Sequence, residues 1–511
     1  MRYYAVRENP HFVGREFYWR QLQEIDRLDE ASVIVVYGRR RVGKTELLEQ
    51  FFRKKPILKF EGLQPDRRRI RRNSPHEKRR QMAECLARLD EYAQSRGPHY
   101  SNMNVRRWSD FFRLLLPFVE QNEVILYFEE LQWLANYRDE FLSEFKPFWD
   151  DTLRHNRKLR VIVSGSAPAF IVNQFISTSA MYGRSNHMLK LEPFDLREID
   201  EFLRKGKRET LLAAIAVGGI PEYLKQLKNA PSVYTGLCGK SFVPEAFFRR
   251  EKDRIFVSSL STDRAYEDIL DYLAQRGHAA REEIYRAIDA GHRKKAGGSF
   301  STALDHLVEV DFVEQYAPLT VADPEHARNV RYAIADEYLQ LYYRLIRKKA
   351  RAIDAGKFIA NPADALPLAD FNKLMGYAFE RWCRKNEALI AGHLQFAGVV
   401  DYDHGSWFER GSGKNAGLQI DLMFIRKDSR IILCEIKYNV GKALTAETAY
   451  ETGEKLERFI GRNPKYRNYT LETALITMEP VTGKLAKDGY FRYLITAEDL
   501  LGVAGRGEGR G

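Results

Sequence analysis

The sequence predicts an α/β chain of several domains, and three observations predict it. An apolar run, Val33-Ile34-Val35-Val36-Tyr37, leads into Gly38-Arg39-Arg40-Arg41-Val42-Gly43-Lys44-Thr45, a full match to G-x-x-x-x-G-K-[ST]. A second apolar run, Val124 to Phe128, ends in two acids, Glu129 and Glu130. Near the other end of the chain, Asp421 sits in one strand-like run and Glu435 and Lys437 in the next. A chain of 511 residues exceeds what one core organises, so two to four domains are expected.

The first motif is a phosphate cradle placed between a strand and a helix. Gly38 and Gly43 let the backbone pass close to a polyphosphate. The amides from Gly38 through Arg41, Val42, Gly43 and into Lys44, Thr45 and Glu46 point at the phosphates, where the helix dipole favours negative charge. Lys44 reaches the β and γ phosphates, and Thr45 places its hydroxyl on Mg²⁺. The alternative is a strand-to-helix turn with no ligand. The strand before it and Glu46 to Phe52 after it favour ATP.

An ATPase of this kind needs two acids at the end of a second buried strand, one for the Mg²⁺ shell and one to polarise the attacking water. Glu129 and Glu130 are these candidates. The usual order is Asp then Glu, so Glu129 is one methylene longer than expected at the metal position, which bears on turnover and metal preference. A third strand, Leu159 to Val163, ends in Ser164-Gly165-Ser166, where the Ser166 hydroxyl is placed to sense the γ-phosphate.

Composition narrows the class. Hydrophobic residues at 44% and charged residues at 30% describe a globular chain, and no apolar run approaches the ~20 residues of a membrane span. Met1 to Pro10 lacks the apolar centre of a secretory signal, so the expectation is cytoplasmic with no membrane partner. Cys85, Cys238, Cys383 and Cys434 are far apart and form no C-x-x-C pair, which argues against a zinc site and a disulfide framework. The net charge of +12 suits a polyanionic partner. The densest basic cluster, Arg67 to Arg80, reads equally as nucleic-acid contact or as solvated surface.

Together these segments resemble the archaeal-type ATPase family of the signal-transduction P-loop group, relatives of the AAA+ ATPases. Phe12-Val13-Gly14-Arg15-Glu16, Tyr182-Gly183-Arg184 and Gly218-Gly219-Ile220-Pro221-Glu222-Tyr223-Leu224 carry the resemblance beyond the phosphate loop. It implies that Arg15 lies near the nucleotide base, that Pro221 lies in a helical lid close to the nucleotide, and that Arg184 is a candidate arginine finger. Glu129 departs from the family's aspartate. Hydrolysis in this class often depends on a neighbouring subunit, which leaves a homo-oligomer open.

Downstream, Tyr266, Ile269, Leu270 and Leu273 keep helical spacing, Arg281 to Tyr285 starts a second helix, and Gly297-Gly298 precedes a third through Leu307. This pattern suggests a winged helix-turn-helix whose third helix presents Ser299, Ser301 and Thr302 to DNA beside His292-Arg293-Lys294-Lys295. Winged helices also dock proteins.

In the last part of the chain, Leu418 to Phe424 and Ile431 to Lys437 read as two strands joined by a turn at Lys427-Asp428-Ser429. Alternation along a strand puts Glu435 and Lys437 on one face. Asp421, Glu435 and Lys437 then form the D…ExK constellation of the restriction-endonuclease-like nucleases, with Glu380 in the position of their helix glutamate. In that reading Asp421 and Glu435 bind Mg²⁺ or Mn²⁺ and Lys437 activates water or stabilises the phosphate. The alternative is a hairpin whose charges merely face water.

The expected architecture is a P-loop ATPase of the ASCE type over residues 1–200, a helical lid over 201–255, a winged helix over 256–350, a restriction-endonuclease-like α/β domain over 351–505 and a tail over 506–511. The leading functional reading is an ATP-controlled DNA-binding nuclease. The competing readings are a nucleotide-switched DNA-binding or scaffold protein with a non-cleaving nuclease fold, and a protein-remodelling ATPase.

Overall fold

Side chains branched at Cβ favour the extended backbone, and in the computed structural model Ser32–Tyr37 forms β1, buried from Ser32 to Val36. The structure describes residues 3–64, 75–93, 99–120, 123–177, 181, 187–259, 264–291, 297–319, 330–409 and 417–503. Parallel to β1 run β2 (Ile57–Glu61), β3 (Ile125–Glu129), β4 (Arg160–Gly165) and β5 (His187–Lys190), in the order β2-β3-β4-β1-β5. A parallel sheet is covered on both faces, which explains the continuous apolar runs rather than alternation. Strand β4 stands between β1 and β3. The carboxyl ends of β1 and β3 therefore reach the same edge, where open α/β sheets hold their ligands.

Aromatic rings fill the core around this sheet. Phe128 packs edge-on to Phe112, Phe141 and Phe145, and Phe60 packs on Phe111 and Phe128. Each such ring contributes about 1.5–3 kcal/mol on burial, so β3 and the acids at its end rest on a buried aromatic core. Helix α1 (Lys44–Phe52) follows β1 directly and buries Leu47, Leu48 and Phe52.

The chain divides into two compact units, one of Met1–Phe194, Ile220–Glu222 and Asp253–Thr262, the other of Asp195–Gly219, Tyr223–Lys252 and Asp263–Gly511. The second unit begins with helices Leu196–Leu203, closed at its start by an Asp195–Glu198 capping box, and Lys207–Val217. Helices α2 (Arg264–Arg276), α3 (Arg281–Gly291) and α4 (Gly297–Glu309) follow, then the antiparallel pair β6 (Val313–Tyr316) and β7 (Arg331–Ile334). Tyr266, Ile269, Leu270 and Leu273 are all buried, as their spacing predicts.

The second sheet has the order β12-β11-β10-β9-β8. Strands β8 (Tyr402–Glu409), β9 (Leu418–Arg426) and β10 (Arg430–Lys437) are antiparallel neighbours, whereas β11 (Thr470–Thr477) and β12 (Tyr493–Thr496) continue parallel to β10. Helix α5 (Leu368–Lys385) packs on β9 and β10, and α6 (Ala446–Arg462) makes the crossover from β10 to β11. The expected turn at Lys427-Asp428-Ser429 is present, with Ser429 at φ 62°.

The four cysteines are buried thiols. Among the described residues no helix is long and apolar enough to cross a membrane. Arg67, Arg68, Arg69, Arg71, Arg72, the Tyr182-Gly183-Arg184 triplet, His292 to Lys295, the Ser299 side chain and the tail from Gly505 lie outside what is described. The described members of the first basic cluster are engaged at home: Lys78 pairs with Glu140, and Arg80 lies 3.0 Å from Glu77.

Candidate functional site

At the end of β1 the backbone turns as only glycine allows. Gly38 has φ 147°, and a Cβ there would meet the Leu191 carbonyl oxygen at 2.4 Å. Gly43, at φ 96°, caps the start of α1. Between them the loop wraps the Lys44 ammonium, whose Nζ donates to the Gly38 and Arg39 carbonyls at 3.0 Å each. Burial pulls the Lys44 pKa down, opposed by the nearby Glu130 and Glu129 carboxylates. A phosphate exchanges these two carbonyl contacts for a charge-assisted one. Replacing Lys44 with alanine is expected to weaken ATP binding by about 100-fold, in line with the ~1.5–3 kcal/mol of a hydrogen bond to a charged group. Isothermal titration of the purified variant with ATP checks this, and unchanged affinity would remove Lys44 from the site.

Thr45 donates its hydroxyl hydrogen to Glu129 Oε1, so the two side chains already meet. Tyr127 also donates to Glu129 Oε1, at 3.3 Å. Lys59 Nζ lies 2.6 Å from Glu129 Oε2 and 2.7 Å from Glu49 Oε1. A hydroxyl and a carboxylate at the end of neighbouring elements are hard oxygen donors of the type Mg²⁺ prefers. The residues present thus fit that cation. With a nucleotide, Thr45 and Glu129 would hold it, and its charge would neutralise the phosphate oxygens.

Glu130 occupies the left-handed region at φ 51°, ψ 53°. A non-glycine residue held there costs about 1–3 kcal/mol and persists where the surroundings impose it. Here they do: Glu130 Oε2 accepts from the Ser166 hydroxyl at 2.7 Å and from Gln132 Nε2, while the Glu130 carbonyl accepts from Trp133 N at 2.9 Å. Ser166 therefore lies beside the acid as well as at its strand end.

The remaining expected residues distribute around the loop. Arg15, 3% exposed, donates to the carbonyls of Glu192 at 2.8 Å and Val42 at 2.7 Å, and its guanidinium lies 4.3 Å from the Phe194 ring centroid. This geometry anchors the loop from beneath. Arg41 lies 3.7 Å from Glu222, and Pro221 Cγ stands 3.9 Å from where a Cβ on Gly43 would be. Glu46 accepts from Asn9 Nδ2 at 2.8 Å.

A second acidic cluster lies on the second sheet. The antiparallel register sets Cys434 opposite Leu422, so Asp421 and Glu435, each one residue further, project to the other face together. Glu435 is 2% exposed and carries two ammonium groups: Lys437 Nζ at 2.8 Å, and Lys455 of α6 at 3.0 and 2.8 Å from its two oxygens. Burial first and Glu435 second raise the Asp421 pKa, and burial with Asp421 pushes Glu380 up to about 7. Glu435 also raises Glu380, so the three carboxylates share one electrostatic neighbourhood. Among the described residues no group of three or more His, Cys, Asp or Glu is arranged to hold a metal. The acids are suitable in kind, but Lys455 occupies both oxygens of Glu435.

Lys59, Gln132 and Lys455 were not legible as site residues. A lysine inside the apolar run Ile57 to Phe60 was the signal available for Lys59. Lys455 and Gln132 sit among ordinary helical polar residues and carried none.

An uncharacterized protein of Methanocaldococcus jannaschii is 25% identical over 466 residues, spanning 90% of this chain and 95% of its own. Among solved structures, the Walker-type ATPase of Pyrococcus abyssi is matched over 65% of this chain and 96% of its own, at 19% identity and TM-score 0.46. The Aeropyrum pernix ORC1 protein in complex with DNA is matched over 69% and 95%, at 13% identity and TM-score 0.38. Residues 12–227 match the family model described as an ATPase domain predominantly from Archaea, and that match covers the phosphate loop and both acids of β3.

Proposed function

We propose that the chain is a cytoplasmic ATP-binding and ATP-hydrolysing DNA-binding protein with a metal-dependent nuclease domain, suited to defence against foreign DNA or to mobile-element DNA metabolism. The nuclease reading rests on one observation: the register of β9 and β10 sends Asp421 and Glu435 to the same face, with Lys437 two residues on and Glu380 of α5 lining the same cleft as Asp421. The succession of α5, three antiparallel strands, the crossover helix α6 and the parallel strand β11 supports this reading. Three helices followed by the β6–β7 pair support the winged helix, and the +12 net charge suits DNA. Here Glu130 acts as base towards water, Lys437 orients or activates the nucleophile at the second site, and nucleotide state controls cutting. Arg184 remains the candidate finger.

Lys455 on both oxygens of Glu435 favours a second reading, a nucleotide-switched DNA-binding protein whose nuclease fold does not cut. A cation at Asp421 and Glu435 must displace that ammonium.

The test is cleavage of linear, supercoiled, single-stranded and branched DNA with Mg²⁺ or Mn²⁺, with and without ATP, comparing wild type, Lys44→Ala and Glu435→Ala. The proposal expects cutting that Glu435→Ala reduces by about 100-fold or more, with ATP binding retained, and that Lys44→Ala alters. DNA retained without cutting under either metal selects the second reading. Cutting that survives Glu435→Ala removes the site assignment.

A further inference from the structure

Next to the Asp421 face the second unit opens a cleft of about 790 Å³, whose lining includes both Asp421 and Glu380. Its walls are the end of α2 with the turn to His278, the helical stretch from Gln340 to Lys349, and one stripe of α5. On α5 the lining residues include Lys373, Tyr377, Glu380 and Arg384, three or four apart, so a single face of the helix looks into the cleft.

The lining is basic with an aromatic platform. Eight lysine and arginine side chains line it against three acids, and two of those acids are Glu380 and Asp421. Arg381 and Arg331 are committed elsewhere, to Glu337 at 3.2 Å and Glu283 at 2.9 Å. Lys348 and Lys373 are exposed. Tyr377 is 49% exposed, large for a tyrosine set in a cleft, and the Arg344 guanidinium lies 5.1 Å from its ring centroid. A solvent-open ring backed by a guanidinium and flanked by lysines combines the two elements of single-strand recognition: a stacking surface and a cationic track for phosphates. In a duplex, bases stack on one another and offer only their edges. A cleft of drug-pocket size also encloses a few nucleotides of one strand, not a double helix.

We propose that this cleft binds single-stranded DNA, a base stacking on Tyr377 and the backbone following Lys348, Lys373 and Arg384 towards Asp421 and Glu380. The inference rests on the nuclease reading for its purpose, but its test is separate. Fluorescence anisotropy of the full chain in EDTA, where metal-dependent cutting is off, compares a labelled oligothymidylate, a blunt duplex and an oligouridylate of equal length. The single DNA strand is expected to bind at least about tenfold tighter than the duplex, and Tyr377→Ala to cost about tenfold, the scale of one stacked base. Tyr377→Phe should stay within about twofold, because the ring is kept. Lys373→Ala should reduce the slope of log affinity against log salt by about 0.7, one phosphate of a single strand.

Equal or tighter duplex binding, tighter binding of the oligouridylate, wild-type affinity in Tyr377→Ala, or no oligonucleotide binding overturns the assignment. Tyr377 is half-exposed, so its truncation opens no core cavity, and an unchanged thermal melt of Tyr377→Ala verifies the fold. The two readings fail separately. Single-strand binding without cutting removes the nuclease and keeps the cleft, whereas cutting lost in Glu435→Ala, with single-strand affinity unchanged in Tyr377→Ala, removes the cleft and keeps the nuclease.

Discussion

Exchange of Glu130 for glutamine is expected to slow ATP hydrolysis by about 100-fold or more while changing ATP affinity less than about threefold, because a positioned general base contributes ~10²–10⁴ to rate. The structural reason is the way Glu130 is held. Its carboxylate accepts from the Ser166 hydroxyl at 2.7 Å and the Ser166 amide at 3.3 Å, and Gln132 adds a third donor. Donors around a carboxylate fix its direction, so the acid is aimed before substrate arrives. Glutamine keeps the shape and one acceptor oxygen but cannot take a proton from water. Phosphate-release rates under saturating ATP, beside titration of ATP binding, separate the two effects. A variant that hydrolyses within about threefold of wild type would show that water is activated by another group and would shift attention to Glu129.

Loss of Lys59 should strongly destabilise the first unit. The side chain is 9% exposed and bridges Glu129 Oε2 at 2.6 Å and Glu49 Oε1 at 2.7 Å. Burial alone would lower its pKa, yet Glu129 and Glu49 more than compensate and the ammonium is raised above its ordinary value. Removing one partner of a buried pair leaves an uncompensated charge, at about 3–5 kcal/mol. Lys59→Met therefore predicts a loss of that size in unfolding free energy, read as a lowered denaturant midpoint of the ATP-sensitive transition. Because Glu129 and Lys59 are coupled, Lys59→Met with Glu129→Gln should recover more than half of the loss, a non-additivity that a double-mutant cycle reads directly. A single variant with an unshifted midpoint would mean that water already screens the pair.

The same contact bears on Glu129 itself. An acid one methylene longer than aspartate at the end of β3 reaches both the Thr45 hydroxyl and Lys59. Lys59 comes from the neighbouring strand β2, where Phe60 pairs with Phe128.

How far the sequence carried differs between the two sites. The phosphate loop is eight contiguous residues between a strand and a helix, and its geometry follows from local backbone chemistry: Gly38 and Gly43 adopt conformations other residues resist, and Lys44 begins a helix. The D…ExK hairpin is nearly as local, since a two-residue period and a short turn place Asp421, Glu435 and Lys437 on one face. The Tyr266 to Leu273 stripe was legible for the same reason, a period repeated within one helix.

The partners of those residues were not legible. Lys59 meets Glu129 only because β2 lies beside β3, Gln132 and Ser166 meet at Glu130 only because β3 and β4 end at the same edge, and Lys455 meets Glu435 only because the crossover helix α6 returns over β10. Arg15 reaches the Val42 carbonyl from across the fold. The sequence by itself determined where phosphate-binding backbone and acidic strand ends occur, because glycine conformation and strand alternation act over a few bonds. Which cations neutralise those acids, how each carboxylate is aimed, and that a basic, aromatic cleft opens beside Asp421 were decided by tertiary structure alone, since charges distant along the chain carry no mutual pattern until folding brings them within a few ångströms.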